Sequence, residues 1–177
     1  EGAEDAIHYV GSGALAADGS AKLDLVLRFH GRFATGLRNG LAQVPENQLV
    51  NIIESRLLGP ALQGARLESH RVEALDELDR PLALHVRVSV PHLATRVGAK
   101  GLVLNVPFTP SLAGYAALAR RSTPLLFREG SAQSLELTLE LPAGARVENL
   151  SPQLSPKFGD LEVEVKDALE GNTLTLS

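Results

Sequence analysis

Cysteine, methionine and tryptophan are all absent from this sequence of 177 residues. Without cysteine the chain has no disulfide framework, no zinc site with sulfur ligands and no thiol nucleophile. The same absence identifies no compartment, because a protein can avoid cysteine in any of them. Translation starts with methionine, so a chain that lacks it is expected to be part of a longer polypeptide.

Aromatic residues make up only 4% of the chain, so leucine, valine and alanine have to fill its interior. Hydrophobic residues at 44% and charged residues at 21% are typical of a globular domain. A formal net charge of -4 argues against nucleic-acid binding, which usually requires a basic surface. No apolar run approaches the roughly 20 residues that span a bilayer. We therefore expect a packed domain that binds no nucleic acid and does not insert into membranes.

Alternation of apolar and polar residues predicts strands in the first half of the chain. After the turn signal Ala17-Asp18-Gly19, apolar residues occupy every second position from Leu23 to Phe29, which predicts a β-hairpin. The strictest alternation runs from Leu82 to Val90. Strands of this kind have one dry face and one wet face, as in an antiparallel sheet. The positions expected to be buried are Leu23, Leu25, Leu27, Leu82, Leu84, Val86 and Val88.

One segment has the period of a helix instead. Apolar residues recur at intervals of three and four between Leu49 and Leu57, and Gly59-Pro60 supplies a stop. The pattern predicts an amphipathic helix over about 45–58, the only helix longer than three turns, with Ile53 at the centre of its buried face. A short second helix over about 111–119 is also compatible with the sequence.

The second half of the chain again predicts strands, over 135–141, 146–150, 161–165 and 173–176, while 91–100 is typical of a loop. Turn signals recur about every ten residues between them, which favours a sandwich over a parallel α/β sheet. The predicted fold is mainly β, an antiparallel two-sheet sandwich with the helix at 45–58 inserted. We expect a single domain over 1–177, with 1–100 and 101–177 as sub-regions that could separate.

Histidines offer little sign of a metal or catalytic site. No two of them have the i, i+4 spacing of the zinc-protease motif, and they fall on different predicted strands or loops. Ordinary surface histidines are the more common explanation of such a scatter. His85 is the best candidate, since it lies on the polar face of a strand that looks central. The others are His8, His30, His70 and His92.

The carboxylates, serines and cations also have simple structural explanations. The acidic residues fall in a predicted turn or on the wet face of a predicted strand, and no G-x-S-x-G elbow or phosphate-binding loop is present. Gly11-Ser12-Gly13 is interpreted as an edge kink or bulge. Scattered cations in an acidic chain are usually a solvated surface. We therefore expect no catalytic, cofactor-binding or metal-binding residue among these groups, which are Asp76, Glu77 and Asp79; Glu162 and Glu164; and Arg96, Lys100, Arg120 and Arg121.

Several short motifs follow one another along the chain. In the first half they are the run from Ala16 to Lys22, Gly31-Arg32-Phe33-Ala34 and Leu37-Arg38. In the second half they are Arg121-Ser122-Thr123-Pro124-Leu125, Leu141-Pro142-Ala143-Gly144-Ala145-Arg146-Val147-Glu148-Asn149-Leu150, Phe158-Gly159 and Glu170-Gly171-Asn172-Thr173-Leu174. Their order resembles the region that follows the core of bacterial DUF3857/transglutaminase-like/DUF3858 proteins, and the second half resembles the DUF3858 pattern. The similarity spans nearly the whole chain.

In the family that this chain resembles, a Cys-His-Asp constellation lies in the preceding domain. None of that domain matches here, so the resemblance supplies a fold and a context but no catalytic residue. It implies a transglutaminase-like core in the same polypeptide as the partner, and export to the periplasm or cell envelope. Relatives continue beyond the position of Ser177, which suggests a trimmed boundary.

Three functions follow as hypotheses, of which the first leads. It is a non-enzymatic accessory β-domain that packs on the transglutaminase-like core, or positions a substrate or a partner protein. The second is an independent binding or adhesive module that recognises a peptide through an exposed sheet edge. The third, a hydrolase that uses carboxylates or histidine, has no converging set of residues behind it. An apolar patch on an outer sheet face would favour the first, and a long unpaired edge strand the second.

Overall fold

The computed structural model describes residues 5–98, 101–109, 130–151, 153–158 and 161–177. Within these residues the two α-helices are α1, Gly31–Ala42, and α2, Glu46–Ile52, and α2 runs on into the π-helical segment Ile53–Leu58. The strands are β1 Ala6–Leu15, β2 Ala21–Phe29, β3 Arg66–Glu73, β4 Leu82–Val90, β5 Ala94–Val97, β6 Gly101–Leu104, β7 Ala132–Glu140, β8 Lys157–Phe158, β9 Leu161–Glu162, β10 Ala168–Glu170 and β11 Thr173–Leu176.

Seven strands form one large sheet in the order β10-β11-β7-β1-β2-β4-β3. The pair β1 and β7 is parallel, and the other neighbours are antiparallel. Two small two-stranded sheets are built from β5 with β6 and from β8 with β9. The prediction of a mainly β fold is confirmed.

One face of the large sheet, which we call the covered face, carries the core. All seven positions predicted to be buried are buried, and Leu23, Leu84 and Val88 are fully enclosed. They share one core with the helical residues Ile53 and Leu58. Complete burial of a leucine or valine side chain contributes about 1.5 to 3 kcal/mol, so the covered face is the main source of stability.

The parallel contact between β1 and β7 differs from the predicted antiparallel arrangement. Parallel neighbours require a connection of about a dozen residues or more, because the chain must return to the same end of the sheet. Residues 16–131 separate β1 from β7 and include β2 to β6 and both helices, so the two strands meet this requirement. The strand pattern fixes which side chains are buried but not the direction of a neighbouring strand.

Helix α1 was not predicted, and the expectation of only one helix longer than three turns is wrong. Its buried residues Ala34, Arg38 and Leu41 recur at intervals of four and three, as in an amphipathic helix. Gly36, Gly40 and a buried cation obscure that pattern, because glycine is a poor helix former and arginine is rarely buried. Packing against the core overrides both preferences.

Helix α2 with the π-helical segment covers 46–58, in agreement with the helix predicted over 45–58. Three other predictions have different outcomes. Residues 91–100 include β5 instead of being only a loop, and 146–150 form no strand, since Arg146 to Leu150 make no ladder pairing. The second helix predicted over 111–119 lies outside the described residues.

The sequence suggested an edge kink or bulge at Gly11-Ser12-Gly13, but Gly11 and Gly13 lie at neither. They lie inside β1, a central strand whose pairing with β2 is unbroken from Ile7 to Leu15. A Cβ atom at Gly13 would overlap the carbonyl oxygen of Lys22, and one at Gly11 would overlap the side chain of Leu25. The glycines therefore let the leucines of β2 lie over β1.

Strands from both predicted sub-regions belong to the large sheet. β1 and β2 come from the first, while β7 and β11 come from the second. Leu137 and Leu139 of β7 are fully buried in the same core as Leu23 of β2. The large sheet and its core therefore draw residues from both sub-regions.

Truncation of Ile53 tests how far the helical layer stabilises the sheet. We expect Ile53→Ala to lower the free energy of unfolding by about 2 to 5 kcal/mol, because the side chain is fully buried and its removal leaves a cavity. Urea denaturation followed by circular dichroism measures the change. The control Val50→Ala removes a 43% exposed side chain from the same helix and should shift stability by about 0.5 kcal/mol or less. Equal effects of the two variants would contradict the assigned burial.

Candidate functional site

The other face of the large sheet, which we call the open face, carries the polar residues of the alternating strands. A row of directly paired residues, one from each of five neighbouring strands, crosses the centre of this face. The residues of this central row are Arg71, His85, Val26, Val10 and Glu136. The two valines are half-buried and form the floor of a shallow trough. The walls of the trough are polar and include Asp24, Arg71 and Arg87.

Glu73 connects the basic groups at one end of the row. Its carboxylate lies 2.5 Å from Nη2 of Arg71 and 3.1 Å from Nε2 of His85. The contact with His85 is a close approach in which Nε2 is buried and is not aligned as a hydrogen-bond donor. Contact with the His85 ring, followed by the charges of Arg71 and Arg80, lowers the pKa of the Glu73 carboxyl. His85 is thus part of an ionic cluster at the rim of the trough.

Arg87 and Asp24 form a second ion pair beside the trough, with Nε and Oδ1 2.7 Å apart. A hydrogen bond from its guanidinium to Asp24, and then the charge of that carboxylate, raise the pKa of Arg87. Both side chains are more than half exposed. Exposed pairs of this kind contribute about 0 to 1 kcal/mol, so they define the charge of the surface more than its stability.

On the side toward β7, the border of the trough is acidic. Glu136 and Glu140 project from β7 and form no ion pair within the part of the chain that the structure describes. On the β2 side, Arg28 likewise has no carboxylate partner among the described residues. The open face therefore has an apolar floor, a mixed basic and acidic rim at β3 and β4, and an acidic rim at β7.

Two histidines meet at one end of the sheet, a contact that the sequence did not reveal. The rings of His8 and His30 lie 5.1 Å apart at 84°, and Nδ1 of His8 is 2.7 Å from Oγ of Ser134. Burial, and then the charges of His8 and Arg28, lower the pKa of His30. Ser134 is 126 positions from His8 in sequence, so no local motif could have revealed the pair.

Within the part of the chain that the structure describes, the contact between His8 and Ser134 has no third group of the kind that completes a catalytic triad. A serine nucleophile needs a base whose far nitrogen is oriented by a carboxylate or carbonyl, and here the next neighbour of the His8 ring is His30. The remaining histidines lie elsewhere, with His70 on β3 and His92 after β4. Among the described residues no group of three or more His, Asp or Glu side chains is close enough to hold a metal ion.

The acidic turn between β3 and β4 is organised by a buried cation, Arg38 of α1. Its Nη2 donates to the carbonyl oxygens of Ala74, Glu77 and Arg80 at 3.0, 2.8 and 2.6 Å. Ala74 has a φ of 57°, a strained value for a residue with a side chain. The carbonyl cage therefore holds an irregular turn in place, and the acidic side chains of that turn do not converge on a site.

The other charged candidates are also separated. Glu162 pairs with Lys157 at 3.1 Å and Glu164 pairs with Lys166 at 2.7 Å, so each has its own lysine. Arg96 donates to the carbonyl oxygen of Ala17 at 3.4 Å. Lys100, Arg120 and Arg121 lie outside the described residues.

Comparison of the chain with protein-family models, curated proteins and solved structures found no match in any of the three. In the part of the chain that the structure describes, no helix has both the length and the apolar character needed to cross a membrane. The fold offers a half-covered sheet whose open face carries a shallow trough.

Substitution of Arg38 tests the carbonyl cage. We expect Arg38→Lys to lower the free energy of unfolding by about 2 to 3 kcal/mol, because a lysine cannot reach three carbonyl groups arranged around a planar guanidinium. Chemical denaturation measures the loss. The control Arg87→Lys alters an exposed ion pair and should cost about 1 kcal/mol or less. A lysine that is tolerated equally well at both positions would show that the cage is not needed.

Proposed function

We propose that this chain is a non-catalytic accessory β-domain that docks through its open face on a transglutaminase-like core of the same polypeptide. In that position it would hold the core, or help to place a substrate or partner protein against it. The observation that carries the proposal is the one-sided burial of the large sheet, whose open face has the half-buried pair Val10 and Val26 at its centre. The family resemblance supplies the identity of the core and the periplasmic or cell-envelope location.

An open sheet face is not by itself a docking surface, because antiparallel sheets commonly leave one face in water. The arrangement of residues is what favours docking here. Non-obligate protein interfaces have a small apolar centre with a polar and charged rim. The trough follows this plan, since short side chains of Ser12 and Thr138 flank the valines and Arg87 and Glu136 lie at its border.

Peptide recognition at a sheet edge is the second candidate, and β3 gives it a location. This strand of eight residues is the last in the large sheet, and most of its side chains are exposed. Its first outward N–H, that of Leu67, is already bound by the carboxylate of Glu54 at 2.7 Å, and a bulge follows between Leu67 and Ser69. Both features hinder the addition of a peptide strand of arbitrary sequence to β3. The open face is therefore the better supported binding surface.

The docking proposal is tested with the region that precedes Glu1 in the parent polypeptide. That region should contain a transglutaminase-like core with a cysteine and should bind the chain in calorimetry. Val26→Asp is expected to weaken binding at least about tenfold, because it places a charge at the centre of the interface. The control Val103→Asp introduces the same charge at a 55% exposed position on β6, away from the open face, and should leave affinity unchanged.

Unchanged binding by Val26→Asp in a chain that still folds, as judged by circular dichroism, would rule out docking through the open face. A preceding region without a transglutaminase-like core would remove the proposed partner. These two failures are separate, since the first concerns the surface and the second its occupant.

The non-catalytic part of the proposal has its own assay. The isolated chain should transfer no acyl group from glutamine donors to amines and should cleave no peptide, with or without a chelator. Acyl transfer of the kind that the family resemblance implies requires a thiolate, and the chain has no cysteine. Turnover that disappears in Ser134→Ala or His85→Ala would show that one of these polar groups is catalytic. The control Thr138→Ala removes a hydroxyl from the same face and should have no effect on such turnover.

A further inference from the structure

We infer that β3 is a self-complementary edge, at which two copies of this chain pair antiparallel around a two-fold axis that passes between the two His70 residues. Among the described residues, β3 pairs only with β4 and ends the large sheet, so no other strand of this part of the chain occupies its outer side. An unpaired edge offers a row of backbone donors and acceptors to another strand. The sequence of β3 indicates which strand fits it.

Pairing with β4 fixes the direction of each β3 side chain. Arg66, Ser69, Arg71 and Glu73 lie opposite Ser89, Arg87, His85 and Ala83, which puts them on the open face. Leu67, His70 and Val72 lie opposite Val88, Val86 and Leu84, which puts them on the covered face. Glu68 is the extra residue of the bulge, and its contact with Lys22 at 3.8 Å places it on the open face as well. Two neighbouring residues, Glu68 and Ser69, therefore share one strand position.

The shared position changes which registers a second β3 can adopt. Residues that oppose each other across an antiparallel pair must lie on the same face. With Glu68 and Ser69 counted as one position, a register centred on His70 satisfies this rule along the whole strand. It places Arg66 opposite Glu73, Leu67 opposite Val72, Glu68 and Ser69 opposite Arg71, and His70 opposite its own copy.

Charge distinguishes this register from its neighbours. In the register centred on His70, the pairs Arg66 with Glu73 and Glu68 with Arg71 join opposite charges, and each occurs twice by symmetry. The register centred on Arg71 would instead bring two Arg71 side chains together and place Glu68 opposite Glu73. The register centred on the bulge would oppose two Glu68 side chains and place Arg66 opposite Arg71. Like charges directly opposite each other destabilise a strand pair, so the register centred on His70 is favoured over these two neighbours. Registers centred on Leu67 or on Val72 also join opposite charges, but they pair only one end of β3, whereas the register centred on His70 pairs the whole strand.

The backbone suits the same register. The N–H of Leu67 points away from β4, because it is bound by Glu54 of the π-helical segment. Outward groups alternate along a strand, so with the bulge counted as one position His70 and Val72 also point outward. In the register centred on His70 these three residues oppose one another, Leu67 with Val72 and His70 with His70. The outward groups of each strand therefore meet those of the other.

Glu54 competes with this pairing. Its carboxylate holds the N–H of Leu67 at 2.7 Å and lies 3.4 Å from Nη1 of Arg66, so it must leave before the end of β3 can pair. The other ion pairs that β3 makes within the chain, Arg71 with Glu73 and Lys22 with Glu68, join exposed side chains and can exchange partners. Glu54 thus blocks one end of the β3 edge, and removal of its carboxylate should strengthen dimer association.

Sedimentation equilibrium of the chain over a range of concentrations tests the proposal. Arg71→Glu should raise the dimer dissociation constant at least about tenfold, because it places carboxylates opposite each other twice. The double exchange Glu68→Arg with Arg71→Glu should restore association. Glu54→Ala should lower the dissociation constant. The matched control Arg28→Glu makes the same charge change on β2, away from the edge, and should leave the constant unchanged.

A covalent test exploits the absence of native cysteine. Opposed residues of a hydrogen-bonded antiparallel pair have Cα atoms about 5.5 Å apart, within the range that a disulfide spans. His70→Cys should therefore form a disulfide-linked dimer on mild oxidation. Val72→Cys, on the same strand and the same face, should not, because the register puts its two copies about 14 Å apart.

Three results would overturn the inference. They are a chain that remains monomeric at every concentration both as wild type and as Glu54→Ala, a dimer that Arg71→Glu leaves intact, and cross-linking through Val72→Cys that equals that through His70→Cys. Circular dichroism of each variant separates lost association from lost folding. The cross-linking comparison remains decisive if a charge variant fails to fold.

Discussion

Burial of the alternating leucine and valine side chains of β2 and β4 is the constraint on which the rest of the structure depends. These residues pack against the helical layer on the covered face, with Leu27, Leu84 and Ile53 almost completely enclosed. Because a strand has a period of two, burial of one face sends the charged residues between them to the other. The open face is therefore a direct consequence of the core. With aromatics at 4% of the chain, the core relies on many aliphatic contacts, and the glycines of β1 allow the close approach that these contacts need.

Much of this sheet could be predicted from the sequence, because period-two alternation is a local signal. It identified β4 and the buried positions of β2, and helical periodicity identified the segment that contains Ile53. The parallel neighbour of β1 could not be predicted in the same way, since strand direction depends on how a long connection returns. Helix α1 was missed because its stripe contains Arg38, whose burial is explained only by the carbonyl groups of a turn 36 to 42 residues away. Tertiary contacts of this kind leave no local pattern.

The polar surface was less predictable than the core. The sequence placed His85 on a wet face, and the structure puts it there, but its contact with Glu73 comes from a neighbouring strand whose bulge sets the register. The contact of His8 with Ser134 depends on the parallel pairing of β1 with β7. The alternation of apolar and polar residues did not predict that parallel pairing. The trough likewise exists only because cross-strand pairs bring Val10 beside Val26. The direction of a side chain can be predicted from the alternation of the sequence, whereas its neighbours across the sheet can be predicted only when the strand pairing is known.

The proposed docking surface on the open face and the proposed dimer edge at β3 would recognise partners by different means, yet they share one residue. A protein on the open face meets side chains only, whereas a strand at the edge meets the backbone first and side chains second. Arg71 contributes to both, because it lies at the basic end of the central row and on the outermost strand. Pairing of two β3 strands would draw its guanidinium from Glu73 toward Glu68 of the second copy. Glu73 would then keep His85 and gain Arg66 of that copy, so the rim of the trough would change its charges without any change in the fold. If both proposals hold, side-chain exchange at β3 would couple the two surfaces, and occupation of one would alter the electrostatic complementarity that the other presents.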